Sequence, residues 1–305
     1  MVTVSIILVN YNGGEVMIDC LHSLQATLQT IPHEVIVVDN ASTDRSADRV
    51  EKLFPEVQLL RQSQNRGFGT GNNLGASQAK GEFLLLLNTD TLLTSDILPH
   101  LVNVMQQDPT IGIIGPQLLN PDGGLQLSTA PEISIWGECQ ALKQNLDYRS
   151  PHHRFWQQFA EVQEVDIVIG AALFIRKCLF EALTGFDEAF FMYFEESDLC
   201  QRVKARGWKV IYDPSVAVIH LGGYSVNKVG DRLRFEYRRS QLHYYQKHRP
   251  LWEQVVLRFY LVTKFACSSL CSSQSVNLKV LRLVLDFEQY PLRREKAQEY
   301  SSGLS

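Results

Sequence analysis

The 305-residue chain lacks any stretch of eighteen apolar residues, so no bilayer-spanning helix is expected. It also lacks a surplus of either charge. Its 29 Lys and Arg against 33 Asp and Glu give a formal net charge of -4, which supplies no general attraction to nucleic acid. The six cysteines, Cys20, Cys139, Cys178, Cys200, Cys267 and Cys271, have the paired spacing of neither a zinc site nor a disulfide framework. They are expected to be buried thiols in a reducing compartment, with the cytoplasm as the expected location. The first residues carry no basic leader, and the apolar run from Val4 closes at Asn10, so a strand and not a signal peptide is expected there. Two phosphate-binding signatures are missing as well. Asn10-Tyr-Asn-Gly-Gly14 does not have the Gly-x-Gly-x-x-Gly spacing of a dinucleotide turn, and the glycine-rich stretch at 65–75 has no Gly-Lys-Ser/Thr ending.

What is present is a globular composition, long enough for one large domain or one domain with an appendage. Its organising stretch is Leu84-Leu-Leu-Leu-Asn-Thr-Asp90, an unbroken apolar run that predicts a central strand buried on both faces. Similar runs at 4–9, 35–38, 57–60 and 111–118 alternate with helical periodicity at 15–29, 45–54 and 95–107. That alternation predicts an α/β protein with a largely parallel, doubly wound sheet. Between about 128 and 163 the periodicity weakens, and an inserted segment over the sheet's edge is expected. Its adjacent His152 and His153 are expected on the surface, because neighbouring residues on a helix point apart. Strand character returns at 165–169, 173–175, 210–212 and 216–219, with helices predicted over 177–184 and 195–206.

Ligands of open α/β sheets bind at the carboxyl ends of strands, and chemistry-bearing residues gather there. Asp90 follows the central strand; it either holds a hard divalent cation or caps the next helix. Asp39 ends the second strand, where it either receives a pyrimidine imide N–H or serves the turn Asp39-Asn-Ala-Ser-Thr-Asp44. The glycines at 67, 69, 71 and 75 suggest an anion cradle or a plain connector, and Asn72 and Asn73 suit sugar or phosphate oxygens. Glu195 and Glu196 start a helix, where the dipole favours acids. Phe190, Phe191, Tyr193 and Phe194 supply apolar walls that would raise a carboxyl pKa and suit one of the pair to general-base work. Asp198 and Arg202 form an i, i+4 pair of structural character. His220 ends a strand, either as a core residue or as a partner of Asp90 in a metal site.

The series Val9-Asn-Tyr-Asn12, Val38-Asp-Asn-Ala-Ser-Thr-Asp44, Asn65-x-Gly-Phe-Gly-x-Gly-Asn-Asn73, Leu87-Asn-Thr-Asp90, Gly185-Phe-Asp-Glu188 and Phe194-Glu-Glu-x-Asp-Leu199 resembles family 2 glycosyltransferases, and most of all their rhamnosyltransferase-like branch. The resemblance runs in order over about residues 3–245. It implies a GT-A fold, a Rossmann-like mixed sheet with flanking helices, and inverting transfer from a nucleotide-activated sugar such as dTDP-rhamnose or a UDP-sugar. It implies a donor site at Asn10, Tyr11, Asn12, Asp39, Asn65, Gly67, Gly71, Asn72, Asn88 and Thr89, with Asp39 on the base. It further implies a metal, Mg²⁺ or Mn²⁺, on Asp90 and His220, and Glu196 as the catalytic base. Gly170, Glu195 and Asp198 fall on the acceptor side, the latter two as competitors for the role of base. Two positions depart from the family pattern: Asn88 replaces the first Asp of Asp-x-Asp, and Glu195-Glu196 replaces Glu-Asp.

On this basis residues 1–118 form a nucleotide-binding half, 119–245 an acceptor half, and 246–305 a helical extension. The extension mixes Arg, Lys and aromatic residues along amphipathic helices. They either lie peripherally on the inner face of a membrane, suiting a polyprenyl-linked or glycan acceptor, or pack on the catalytic part or a second subunit. A sugar-nucleotide nucleotidyltransferase and an inactive nucleotide-sugar-binding module are the competing functions.

Overall fold

The computed structural model describes residues 2–148, 156–222, 230–271, 275–286 and 289–290. His152 and His153 therefore lie outside the described residues. The strands are β1 (Val4–Asn10), β2 (His33–Asp39), β3 (Gln58–Arg61), β4 (Phe83–Leu87), β5 (Thr91–Leu92), β6 (Ile111–Leu119), β7 (Leu125–Gln126), β8 (Thr129–Ala130), β9 (Gln163–Glu164), β10 (Ile167–Val168), β11 (Ala172–Arg176) and β12 (Lys209–His220). The helices are α1 (Gly14–Thr27), α2 (Ser46–Leu53), α3 (Phe68–Gln78), α4 (Leu98–Gln107), α5 (Ile135–Tyr148), α6 (Lys177–Ala182), α7 (Glu195–Ala205), α8 (Gly230–His248), α9 (Leu251–Cys271) and α10 (Ser275–Leu285).

The main sheet runs β3-β2-β1-β4-β11-β6-β12-β5. Its first four strands are parallel, as continuous apolar runs joined by helices require. β4 lies at the centre with all five side chains buried. β11 inserts antiparallel between β4 and β6, which gives the mixed sheet that the family resemblance implied and that the strand–helix alternation alone did not show. The reversal brings the segment before β11 back to the carboxyl end of β4, where Asn88 N–H donates to Ala171 O at 2.9 Å.

Two further expectations change. The runs at 210–212 and 216–219 belong to one strand, β12, whose register slips between Asp213 and Ala217. Pro214 has no N–H for the ladder, so a bulge accommodates it. Within the segment after 128, Ile135–Tyr148 forms α5, whose Trp136, Leu142 and Leu146 are exposed to solvent. With apolar residues outward, its sequence showed no buried face.

Two apolar clusters fill the faces of the sheet, one under α1 and α4 and one under α3 and α7. A third joins Phe190 and Phe194 to Leu242, Tyr244, Tyr245, Leu257, Leu261, Phe265, Val280 and Val284. The inner faces of α8, α9 and α10 thus pack on the segment that enters α7. That is the packing alternative for the terminal helices.

Candidate active site

At the carboxyl ends of β1 and β2 the side chain of Asn10 is a buried hub. Its Nδ2 lies 2.9 Å from Asp39 Oδ1, 2.8 Å from Ser46 Oγ and 3.1 Å from Ser42 Oγ, and its Oδ1 accepts Gly13 N–H at 3.2 Å. Asn10 is 0% exposed, and its side-chain polar atoms are taken up by these protein partners. It orients Asp39, whose Oδ2 accepts Ser42 N–H at 3.3 Å. A carboxylate has about four lone-pair sites, so Asp39 keeps capacity for a further donor. Asn12, in left-handed conformation, binds Thr43 N–H at 2.7 Å and ties the two loops together, while Tyr11 stands exposed beside it.

The stretch 65–75, expected as an anion cradle or a plain connector, directs backbone donors to protein acceptors. Gly67 N–H donates to Asn65 Oδ1 at 2.9 Å and Phe68 N–H to Phe191 O at 3.0 Å, so protein acceptors occupy donors of the α3 entrance. The glycines serve close packing instead. A Cβ on Gly71 would meet Val9 Cγ1 at 2.7 Å, one on Gly75 would meet Ile7 Cγ2 at 2.5 Å, and one on Gly67 would strike Phe191 O at 2.4 Å. Asn72 is buried, with its Nδ2 on Phe68 O. Asn73 accepts Phe186 N–H at 2.8 Å and donates to Phe186 O at 2.9 Å, which binds α3 to the Gly185-Phe-Asp-Glu turn. Two motifs far apart in sequence are therefore one structural joint.

Asn88, Thr89 and Asp90 are half-buried at the end of β4. β5 begins at Thr91 and pairs with the end of β12, Thr91 facing His220. This pairing sets His220 Nε2 3.4 Å from Asp90 Oδ1. The other ring nitrogen, Nδ1, is 2.7 Å from Gln126 Oε1. The Gln126 amide donates to Asn120 Oδ1 and to His220 O, so its oxygen must accept and Nδ1 carries the proton. In the neutral imidazole Nε2 would present a lone pair beside the carboxylate, a donor pair that fits a divalent cation. Among the described residues no group of three or more His, Cys, Asp or Glu side chains forms.

On the other side of the same edge stands the acid pair. Glu195 is buried and lies toward α3, since a Cβ on Gly69 would be 3.9 Å from its Cβ. Glu196 lies against Gly170, where a Cβ would meet its Cβ, Cγ and Cδ at 3.5 Å. Burial raises both carboxyl pKa values. The charge of Glu196 raises Glu195 further, whereas backbone N–H groups, including that of Gly170, partly offset the rise at Glu196. Each acid keeps one oxygen, Oε2, without a hydrogen-bond partner. Glu196 retains partial solvent access and Glu195 does not. Asp198 is fully buried and held by Arg202 Nε at 2.7 Å, His248 Nε2 at 2.6 Å and Lys247 Nζ at 2.6 Å, an anchor for α7 in keeping with the structural character of its pairing with Arg202.

The two sides are joined by a short path. Asn88 N–H binds Ala171 O, and the preceding Gly170 touches Glu196. Tyr193 and Phe194, immediately before the acids, both adopt left-handed backbone at φ 69° and 70°. Such strain in aromatic residues persists only when packing enforces it. Here Tyr237 of α8 contacts both rings and Tyr244 contacts Phe194. Sequence reasoning missed this clamp, and also missed Gln126, Ser42 and Ser46; single polar residues in loops carry no periodic signal.

The family model for "Glycosyl transferase family 2" matches residues 5–183. The chain belongs to that family. It is similar over 301 residues, at 27% identity, to N-acetylglucosaminyl-diphospho-decaprenol L-rhamnosyltransferase of Mycobacterium tuberculosis, with 90% of this chain and 97% of the relative covered. Low-salt glycan biosynthesis hexosyltransferase Agl10 of Haloferax volcanii is 27% identical over 76% of this chain and 69% of its own. Among solved structures, GalNAc-T7 with UDP, GalNAc and Mn²⁺ matches with a TM-score of 0.60 at 17% identity, covering 96% of this chain and 58% of that one. Mannosyltransferase PcManGT from Pyrobaculum calidifontis, with GDP-Man and Mn²⁺, gives 0.54 at 16% identity, covering 92% and 84%. These likenesses fix the fold as that of GT-A glycosyltransferases, and the protein is a glycosyltransferase.

Proposed function

We propose that this glycosyltransferase moves a sugar from a nucleotide-diphosphate donor to a glycan or polyprenyl-linked acceptor in cell-surface polysaccharide synthesis, with inversion and with Mg²⁺ or Mn²⁺. One observation carries the reading: the Asp90–His220 pair and Glu196 border one edge of the sheet, linked through Asn88, Ala171 and Gly170. Asp90 and His220 would hold the divalent cation, which would supply positive charge to the diphosphate leaving group. Asp39, oriented by Asn10, accepts the imide N–H of a pyrimidine base, and Asn12, Tyr11 and Thr89 border the donor. Glu196 takes the proton of the attacking hydroxyl, and its raised pKa suits that work near neutral pH. A single in-line displacement inverts the anomeric carbon.

The near full-length likeness to the mycobacterial rhamnosyltransferase favours dTDP-rhamnose as donor and a diphospho-polyprenol glycan as acceptor. It also favours a peripheral position on the inner face of the membrane, with residues 246–305 as the attachment. Among the described residues no helix is long and apolar enough to cross a bilayer.

The test is nucleotide release from dTDP-, UDP- and GDP-sugars, with and without Mn²⁺ and a polyprenyl-diphosphate acceptor. Acceptor-dependent, metal-dependent release of nucleoside diphosphate is expected. Formation of nucleoside triphosphate and sugar 1-phosphate on addition of pyrophosphate would mark a nucleotidyltransferase, and binding without turnover an inactive module.

A further inference from the structure

α9 is amphipathic in an unusual sense. Its inner positions, Leu257, Leu261 and Phe265, join the cluster around Phe190 and Phe194. Its outer positions are apolar too. Trp252, Val255, Val256, Phe259 and Tyr260 recur at helical spacing, and Trp252 and Phe259 are 60% and 72% exposed. The stripe continues through exposed Thr263, Lys264 and Cys267 and contains no acid. The single acid of α9, Glu253, is buried and accepts Ile135 N–H at 2.8 Å. That bond brings α5 alongside, so that Trp136, 73% exposed, flanks the same end of α9 as Trp252. α10, packed against α9, exposes Lys279 and Arg282 with Leu278 and Leu285 and has no acid of its own.

From this surface we infer that the outer face of α9 docks on an anionic phospholipid bilayer. A contiguous exposed apolar stripe marks an interaction site. Tryptophan and tyrosine at its border suit the headgroup region, where an apolar ring and a polar edge are both accommodated. The charge decides between lipid and protein. In a chain of net charge -4, α9 and α10 expose Lys264, Lys279 and Arg282 and no acid, since Glu253 is buried. Arg258 is buried as well, and its guanidinium donates to Val284 O and Tyr290 O. Asp231 and Asp286 line a cavity beside Lys279 and Arg282. A two-fold dimer through this face would set like charges against each other, whereas anionic headgroups complement them. The helix would lie in the interface with Trp252, Val256 and Phe259 in the acyl boundary. Its inner face would meanwhile hold the cluster that buttresses Phe194 at the start of α7.

The inference rests on the peripheral-membrane part of the proposed function and on no other part. Its test uses the full chain and vesicles of phosphatidylcholine alone or with phosphatidylglycerol, bare of glycan acceptor and nucleotide sugar. Loss of glycosyl transfer therefore leaves its outcome untouched, and loss of vesicle binding leaves glycosyl transfer standing. Wild type should co-float with the anionic vesicles and less with the neutral ones. The double variant Trp252→Ser, Phe259→Ser should bind at least about tenfold more weakly. Lys264→Glu, which leaves the apolar stripe intact, should reduce binding to anionic vesicles selectively. Thermal melts of each variant check folding. Absence of wild-type binding, or binding unaffected by both variants, overturns the inference. A concentration-dependent dimer abolished by Phe259→Ser, with no vesicle binding, overturns it in favour of self-association.

Discussion

His220 Nε2 stands 3.4 Å from Asp90 Oδ1, although 130 positions (90 to 220) separate the two residues. The cause is strand pairing: Thr91 of β5 faces His220 of β12, and Leu221 N–H donates to Asp90 O at 2.9 Å. The contact follows from the topology of the sheet and needs no local sequence signal.

Gln126 sets the tautomer that makes this pair a donor set. Gln126→Leu removes the acceptor for Nδ1–H and lets the proton move to Nε2. Calorimetric titration of Mn²⁺ in the presence of nucleoside diphosphate should give an affinity about 10- to 100-fold lower than wild type, a typical cost of losing such a partner. Nucleotide binding without metal should not change.

Asp198 clasps α7, and Asp187 the turn that precedes it, to α8. At Asp187, burial would raise the carboxyl pKa, but hydrogen bonds from His243 and Lys247 outweigh it and hold the group well below the usual range. Asp198 shows the same balance, with His248 as the strongest opposing partner. Groups depressed in the folded state contribute stability that is complete above the unfolded pKa of about 3.9 and lost as pH falls through the folded value. Urea unfolding should therefore show a steep loss below about pH 4. Asp198→Asn should destabilise by about 3–5 kcal/mol at neutral pH, because it leaves buried cations without their partner.

Glu195 behaves in the opposite sense. Its folded pKa is raised by burial and by the charge of Glu196, so the folded state binds the extra proton. Stability then falls as pH rises from the unfolded value of about 4.3 toward the folded one. Glu195→Gln should raise the melting temperature at neutral pH and bring no gain below about pH 4. An unchanged or lower melting temperature at neutral pH would refute the buried-acid account.

Much of this architecture was legible in the sequence. The apolar runs located the parallel half of the sheet, because strands buried on both faces cannot hide their composition. The ends of β1, β2 and β4 drew attention to Asn10, Asp39 and Asp90. The antiparallel insertion of β11 was not legible from the residues, since Ala172–Arg176 reads as an apolar strand in either direction. Nor were the partners of the conspicuous residues. Asn10 orients Asp39, Gly71 and Gly75 admit Val9 and Ile7, and Asn73 fastens a turn more than a hundred residues away. Motif letters identified where chemistry gathers; tertiary packing decided which partners each letter meets.

Glu196 carries the central claim, and its conversion to Gln is the most direct measurement. Single-turnover transfer at saturating donor and Mn²⁺ should fall by about 10²–10⁴-fold in Glu196→Gln, the usual contribution of a positioned base. Donor affinity should stay near that of wild type. Transfer by Glu196→Gln at the wild-type rate would contradict the account.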